Sequence, residues 1–158
     1  MLGLRALVGV LAGVLACTGS DRPRAAVQPE LAPVDGWSRV SSRAALLEEL
    51  ARLESGPVVL EFSASWCLPC VELHRSFADP RVRAELVGHG TIEVDVSDQD
   101  DAQRELIEIF GADALPLVLR FDDAATLRAA LSAGRTAAPS LVLRTFVTGD
   151  ELLAALAR

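Results

Sequence analysis

The sequence predicts an α/β fold, a central mixed β-sheet flanked by helices, and three observations predict it. Apolar runs of strand length alternate with longer segments of helical periodicity. The run at 58–63, VVLEFS, is apolar nearly throughout, as expected of a central strand covered on both faces. That run leads straight into SASWCLPC at 63–70, which sets a C-x-x-C pair at a strand-to-helix turn, the placement of a redox couple in a βαβ unit. With 158 residues, 51% of them apolar, the chain suffices for one well-packed domain and is short for two.

The elements follow in order. Residues 1–16 have an early Arg5 and then an apolar run too short for the roughly 20 residues of a membrane span, which reads as a signal peptide. The run ends in VLAC, which resembles the lipobox of bacterial lipoproteins, with Cys17 as the residue to be lipidated; the alternative is plain secretion with a spare thiol. Residues 17–36 carry three prolines and scattered charge without apolar period and read as a flexible tether, leaving 37–158 as the domain. A short edge strand at 37–40 precedes a helix capped by Ser41 or Ser42, with Leu46, Leu47, Leu50 and Leu53 on one face. Gly56-Pro57 ends it, and the strand at 58–63 follows.

After the cysteines a helix is expected over 71–77, then Asp79 as cap and Pro80 as the start of a second helical piece to Leu86. Residues 91–96 alternate Ile92, Val94 and Val96 with Glu93 and Asp95, a strand. The acidic SDQDD caps a helix with Leu106, Ile109 and Phe110, closed by Gly111. Pro116 introduces a strand at 117–121. The segment 122–139 admits a helix or a loop. A last strand is expected at 141–146 and a helix at 150–157.

Charge narrows the function. Fifteen basic and 22 acidic residues give −7, which argues against nucleic acid and against an electrostatic hold on anionic lipid. All the basic residues are arginine, so lysine chemistry is excluded. Cysteine arithmetic bears on the site: of three cysteines, lipidation of Cys17 leaves Cys67 and Cys70 as the sole thiol pair. Cys67 falls where a helix begins, so unpaired N–H groups and the helix dipole favour its thiolate, and it is the candidate nucleophile. Cys70, one turn on and deeper, is placed to resolve a mixed disulfide. Leu68 and Pro69 between them offer no side-chain donor to stabilise the thiolate further, which tilts the couple toward reduction. Glu61 lies in the buried strand and has two readings: a proton acceptor for Cys70, or a group on a wet sheet edge. Trp66 either contacts substrate or caps the core.

Taken together, EFSASWCLPCVEL, SFADPRVRAEL and VDVSDQDDAQRELIEIFGADALPLVLRF resemble the thioredoxin superfamily, and within it the periplasmic C-terminal domain of DsbD-type thiol:disulfide interchange proteins. The resemblance covers about 58–121, more weakly to the C-terminus. It implies a thioredoxin-like fold and a thiol:disulfide oxidoreductase of the protein-disulfide reductase type, with Cys67 and Cys70 as the redox pair and Trp66 as the tryptophan before it. It also implies a buried acid at Glu61 and a cis-proline at Pro116, whose neighbour Leu115 would pair its backbone with an incoming substrate strand; read without it, Pro116 is equally a trans proline opening an edge strand. Trp66, Leu68, Pro69 and Leu115 are thus the candidate substrate contacts.

Three departures stand out. A polytopic membrane domain is missing, so electrons are expected from another protein. Thr145 stands where the family usually has glycine, and 122–139 is longer than usual. The expected partners are disulfide-containing proteins and a membrane or periplasmic thiol donor, with membrane contact through the lipid anchor only, no nucleic acid, no cofactor and no metal. The competing readings are a copper- or zinc-handling protein, with His74 on the solvated face of the active-site helix and His89 in a loop as the nearest further ligands, and a peptide-binding module with a permanent disulfide. A disulfide closing so small a loop contributes little as a staple, which favours redox use.

Overall fold

The computed structural model of the chain describes residues 31–158; the segment expected to be a signal peptide, Cys17 and most of the expected tether lie outside the described residues. The strand β1 (Ser38–Val40) leads into α1 (Arg43–Leu53), whose N-cap is Ser42, its hydroxyl accepting the Ala45 N–H at 3.2 Å. Then come β2 (Val58–Ser63), α2 (Leu68–Phe77) and α3 (Pro80–Glu85), the last capped by Asp79. The chain continues through β3 (Gly90–Asp95), α4 (Asp101–Phe110) and β4 (Leu117–Phe121). Gly111 ends α4 in the left-handed region at φ 63°, where glycine carries no Cβ penalty. Finally α5 (Ala124–Ser132), β5 (Leu141–Leu143) and α6 (Gly149–Leu156) complete the chain.

The five strands form one mixed sheet in the order β1-β3-β2-β4-β5, the central strands parallel for β1, β3 and β2 and antiparallel from β2 to β4 to β5. Helices cover both faces. Successive β2 side chains point to opposite faces, and all six residues are buried. Val58, Leu60 and Phe62 join Leu46 and Leu50 of α1, Leu106 and Phe110 of α4, and Leu127 and Leu131 of α5 in one apolar cluster. Val59 on the other face packs with Leu73 and Phe77 of α2, Val82 of α3 and Leu152 of α6.

Several boundaries differ from the sequence reading. The helix expected to begin at Cys67 and continue over 71–77 spans Leu68–Phe77 with Cys67 as its cap, and Pro69 sits in its first turn, where the missing N–H leaves no bond unmade. The ambiguous 122–139 divides: Asp123 accepts the Thr126 N–H at 2.8 Å and starts α5, and Arg43 donates to the Leu131 carbonyl at 2.7 Å, fastening α5 to α1. The last strand stops at Leu143 instead of 146, since its ladder with β4 covers only Val118 to Arg120. The tether expected to run through residue 36 is packed from at least Leu31: Leu31 and Val34 are both buried, one in each apolar cluster. Their two apolar side chains were hidden among the prolines and charges.

Candidate active site

The turn after β2 carries the cysteines to the N-terminus of α2. Cys67 is the N-cap residue and Cys70 the third residue of the helix, joined by a disulfide with an S–S distance of 2.06 Å. The sulfur of Cys67 also accepts the Cys70 N–H at 3.2 Å. Once the bond opens, that N–H and the positive end of the helix dipole favour negative charge on Cys67. Cys67 is 5% exposed and Cys70 fully buried, so an approaching disulfide meets Cys67 first.

Around the sulfurs the surface is apolar and open. Trp66 is 53% exposed and Leu68 58%, and the Trp66 indole N–H is held by the Ser97 carbonyl at 3.0 Å. The reading of Trp66 as a cap on the core does not hold at that exposure. Trp66, Cys67, Leu68, Pro69, Ile107 and Leu115 line a groove of about 550 Å³. Leu115 is half-buried, Pro116 is buried, and the peptide bond between them is cis, not the trans alternative.

Beneath α2 lies a polar layer. Glu61, on β2, is completely buried, so the wet-edge reading is overturned. Its register partners are Glu93 on β3 and Val118 on β4. Oε2 of Glu61 meets Nε2 of His74 at 2.8 Å, while Oε1 has no hydrogen-bond partner among the described residues. Nδ1 of His74 donates to the Ala32 carbonyl at 2.7 Å. His74 is therefore buried, at 7% exposure, and corrects the expectation that it lies on the solvated face. The signal was present: four residues after Cys70, it lies on the same helix face as the inward thiol. Both its ring nitrogens are engaged by Glu61 and Ala32, which removes it as the third ligand of a metal site with the cysteines. Glu93 is also buried, accepting from Ser63 Oγ at 2.8 Å and facing Arg39 at 3.4 Å, with Asp95 completing the ion pairs at the sheet edge.

Burial pushes the Glu61 carboxyl above the usual carboxylate range, and the His74 hydrogen bond opposes this without reversing it. Burial works against a charged His74, yet the Glu61 bond, the Glu61 charge and the Ala32 carbonyl outweigh it and raise the imidazole above its ordinary value.

Fold and site together are those of the thioredoxin fold, with a disulfide at the start of the helix that follows the central strand. No protein-family model matches the chain. Among curated proteins it is similar to the thiol:disulfide interchange protein DsbD of Ralstonia nicotianae, 33% identical over 129 residues, which takes in 77% of this chain and 21% of that protein. DsbD of Klebsiella pneumoniae is 37% identical over 90 residues, 54% of this chain and 14% of that protein. The chain thus spans between 14% and 21% of the length of these two relatives. Among solved structures, the C-terminal domain of DsbD from Neisseria meningitidis in its reduced form superposes with a TM-score of 0.52 at 24% identity, covering 73% of this chain and 90% of that one. Thioredoxin O2 from Arabidopsis thaliana in its oxidised state gives a TM-score of 0.55 at 17% identity, covering 77% and 91%. The chain therefore has the thioredoxin fold and is similar in sequence to DsbD over part of that protein's length.

Proposed function

We propose that the chain reduces protein disulfides outside the cytoplasm, held at a membrane by a lipid on Cys17. The observation that carries the redox role is the Cys67–Cys70 disulfide at the N-terminus of α2, with a buried second sulfur and an open apolar groove before the first. In the reduced protein the Cys67 thiolate attacks a client disulfide. A bond forms between Cys67 and one client sulfur, and the other client sulfur leaves with the electron pair. Cys70 then attacks Cys67, closing the disulfide seen here and releasing the second client sulfur. The two electrons come from the dithiol, and a thiol donor of the periplasm or membrane restores them. Glu61 accepts the Cys70 proton. Trp66, Leu68, Pro69 and Leu115 contact the client, the Leu115 backbone pairing with an extended client segment.

The extracytoplasmic setting is supported by the signal-like segment 1–16, by the lipobox at Cys17 and by the DsbD similarity. Among the described residues no helix is long and apolar enough to cross a membrane. The test is a pair of variants on a model protein disulfide. Cys67→Ser abolishes reduction, whereas Cys70→Ser retains the first attack and accumulates a mixed disulfide visible by non-reducing electrophoresis. Reduction by the double serine variant at the wild-type rate would overturn the proposal.

A further inference from the structure

The Glu61–His74 pair contains more than a proton acceptor. His74 has two ring nitrogens and each faces an oxygen, Ala32 O at 2.7 Å and Glu61 Oε2 at 2.8 Å. A backbone carbonyl only accepts, so Nδ1 carries a hydrogen, and the remaining proton lies between Nε2 and Oε2. The segment entering the domain therefore fixes the tautomer: Leu31 and Val34 are buried on either side of Ala32 and hold its carbonyl in place. Cys70 and His74 are separated by one turn of α2, so the Glu61 carboxyl that touches His74 lies under the helix face that also carries the Cys70 sulfur.

We propose that His74 is a positioning residue for the resolving step: it binds one oxygen of Glu61, leaves Oε1 to accept, and favours the charged form of the buried carboxyl, the form that takes the Cys70 proton. This rests on the redox reading above and assigns the role of a side chain which that reading leaves unused. In the step, the Cys70 proton passes to Oε1 as the Cys70 sulfur bonds to Cys67. The bond between Cys67 and the client breaks, and its electron pair leaves on the client sulfur. The proton stays on the pair until the donor reopens the disulfide and Cys70 takes it back. The other groups facing the pair are Glu93 on β3, which opposes charge on Glu61, and Arg39 on β1, which favours it. Val118 on β4 is apolar, and Asp35, Arg75 and Arg83 share the surface cleft onto which His74 opens.

The experiment uses reduced protein mixed with Ellman's reagent across pH 5.5 to 9.5. Cys67 attack releases one equivalent of chromophore in a first phase, and Cys70 expels the second equivalent in a second phase. In His74→Leu the second phase is expected to slow by about tenfold near neutrality and its profile to move up by about one pH unit, because burial of Glu61 is then unopposed. The first phase changes by less than about twofold. His74→Gln, which keeps a donor toward Glu61 but no charge, shifts the profile in the same direction, and serves alone if the leucine variant does not fold. In a Glu61→Gln background the His74 change adds no further shift. A second-phase profile that overlies wild type, or equal slowing of both phases with an unmoved midpoint, would overturn the proposal. Loss of the first phase in the wild-type protein would instead overturn the redox reading itself.

Discussion

The two faces of β2 are built to different ends. Toward α1, α4 and α5 the strand presents Val58, Leu60 and Phe62 to one apolar cluster. Toward α2 it presents Val59, then Glu61 and Ser63, equally buried but bonded to His74 and Glu93. One face contributes stability by area and packing. The other bears the cost of burying carboxylates, and it places titratable groups under the cysteine helix.

The largest break of this comparison is Phe62→Ala on the apolar face. It empties a site between Leu60 and Phe110 and is expected to cost about 3–5 kcal/mol in denaturant unfolding. It is expected to leave the pH dependence of stability unaltered, since Phe62 points to the face of β2 opposite Glu61.

Next in size is pH itself. The raised His74 value means that the stability it contributes is fully present below its ordinary value of 6.5 and is lost as pH rises through the higher folded value. Glu61, also raised, acts in the same direction above its ordinary 4.5, since its ionisation is resisted in the folded state. Unfolding free energy is therefore expected to fall as pH rises above about 4.5 through Glu61 and further above about 6.5 through His74, by up to about 1.4 kcal/mol per pH unit for each retained proton. Urea titrations at half-unit intervals measure the slope.

Glu61→Gln sharpens the same contrast. A glutamine amide can still meet His74, so at neutral pH the cost is about 1 kcal/mol. The alkaline decline of stability flattens and the resolving step slows. Smallest is Thr148→Ala at the capping box of α6, where the hydroxyl meets the Glu151 N–H at 3.4 Å; it costs about 1 kcal/mol or less in thermal unfolding and alters neither face of β2.

Much of this was legible in the chain. The apolar VVLEF run, the turn at SASWC and the alternation at 91–96 place β2, α2 and β3 from periodicity alone. Glu61 was conspicuous as a charge inside an apolar strand. His74 was less so, because its spacing of four from Cys70 gives the inward face only once Cys70 itself is known to face inward. Which face it takes is decided by tertiary packing of Ala32 and Glu61, 42 and 13 residues away. Leu31 and Val34 escaped for a related reason, since two apolar residues among prolines have no period to read.

The central claim is that Cys67 and Cys70 cycle between dithiol and disulfide. Its most direct test is the reduction potential of the pair in protein beginning after Cys17, equilibrated in defined thiol buffers and read by alkylation. The account predicts a reversible two-electron couple near thioredoxin's, about −270 mV. A disulfide that stays closed in buffers poised well below about −300 mV would make it a structural bond and contradict the account.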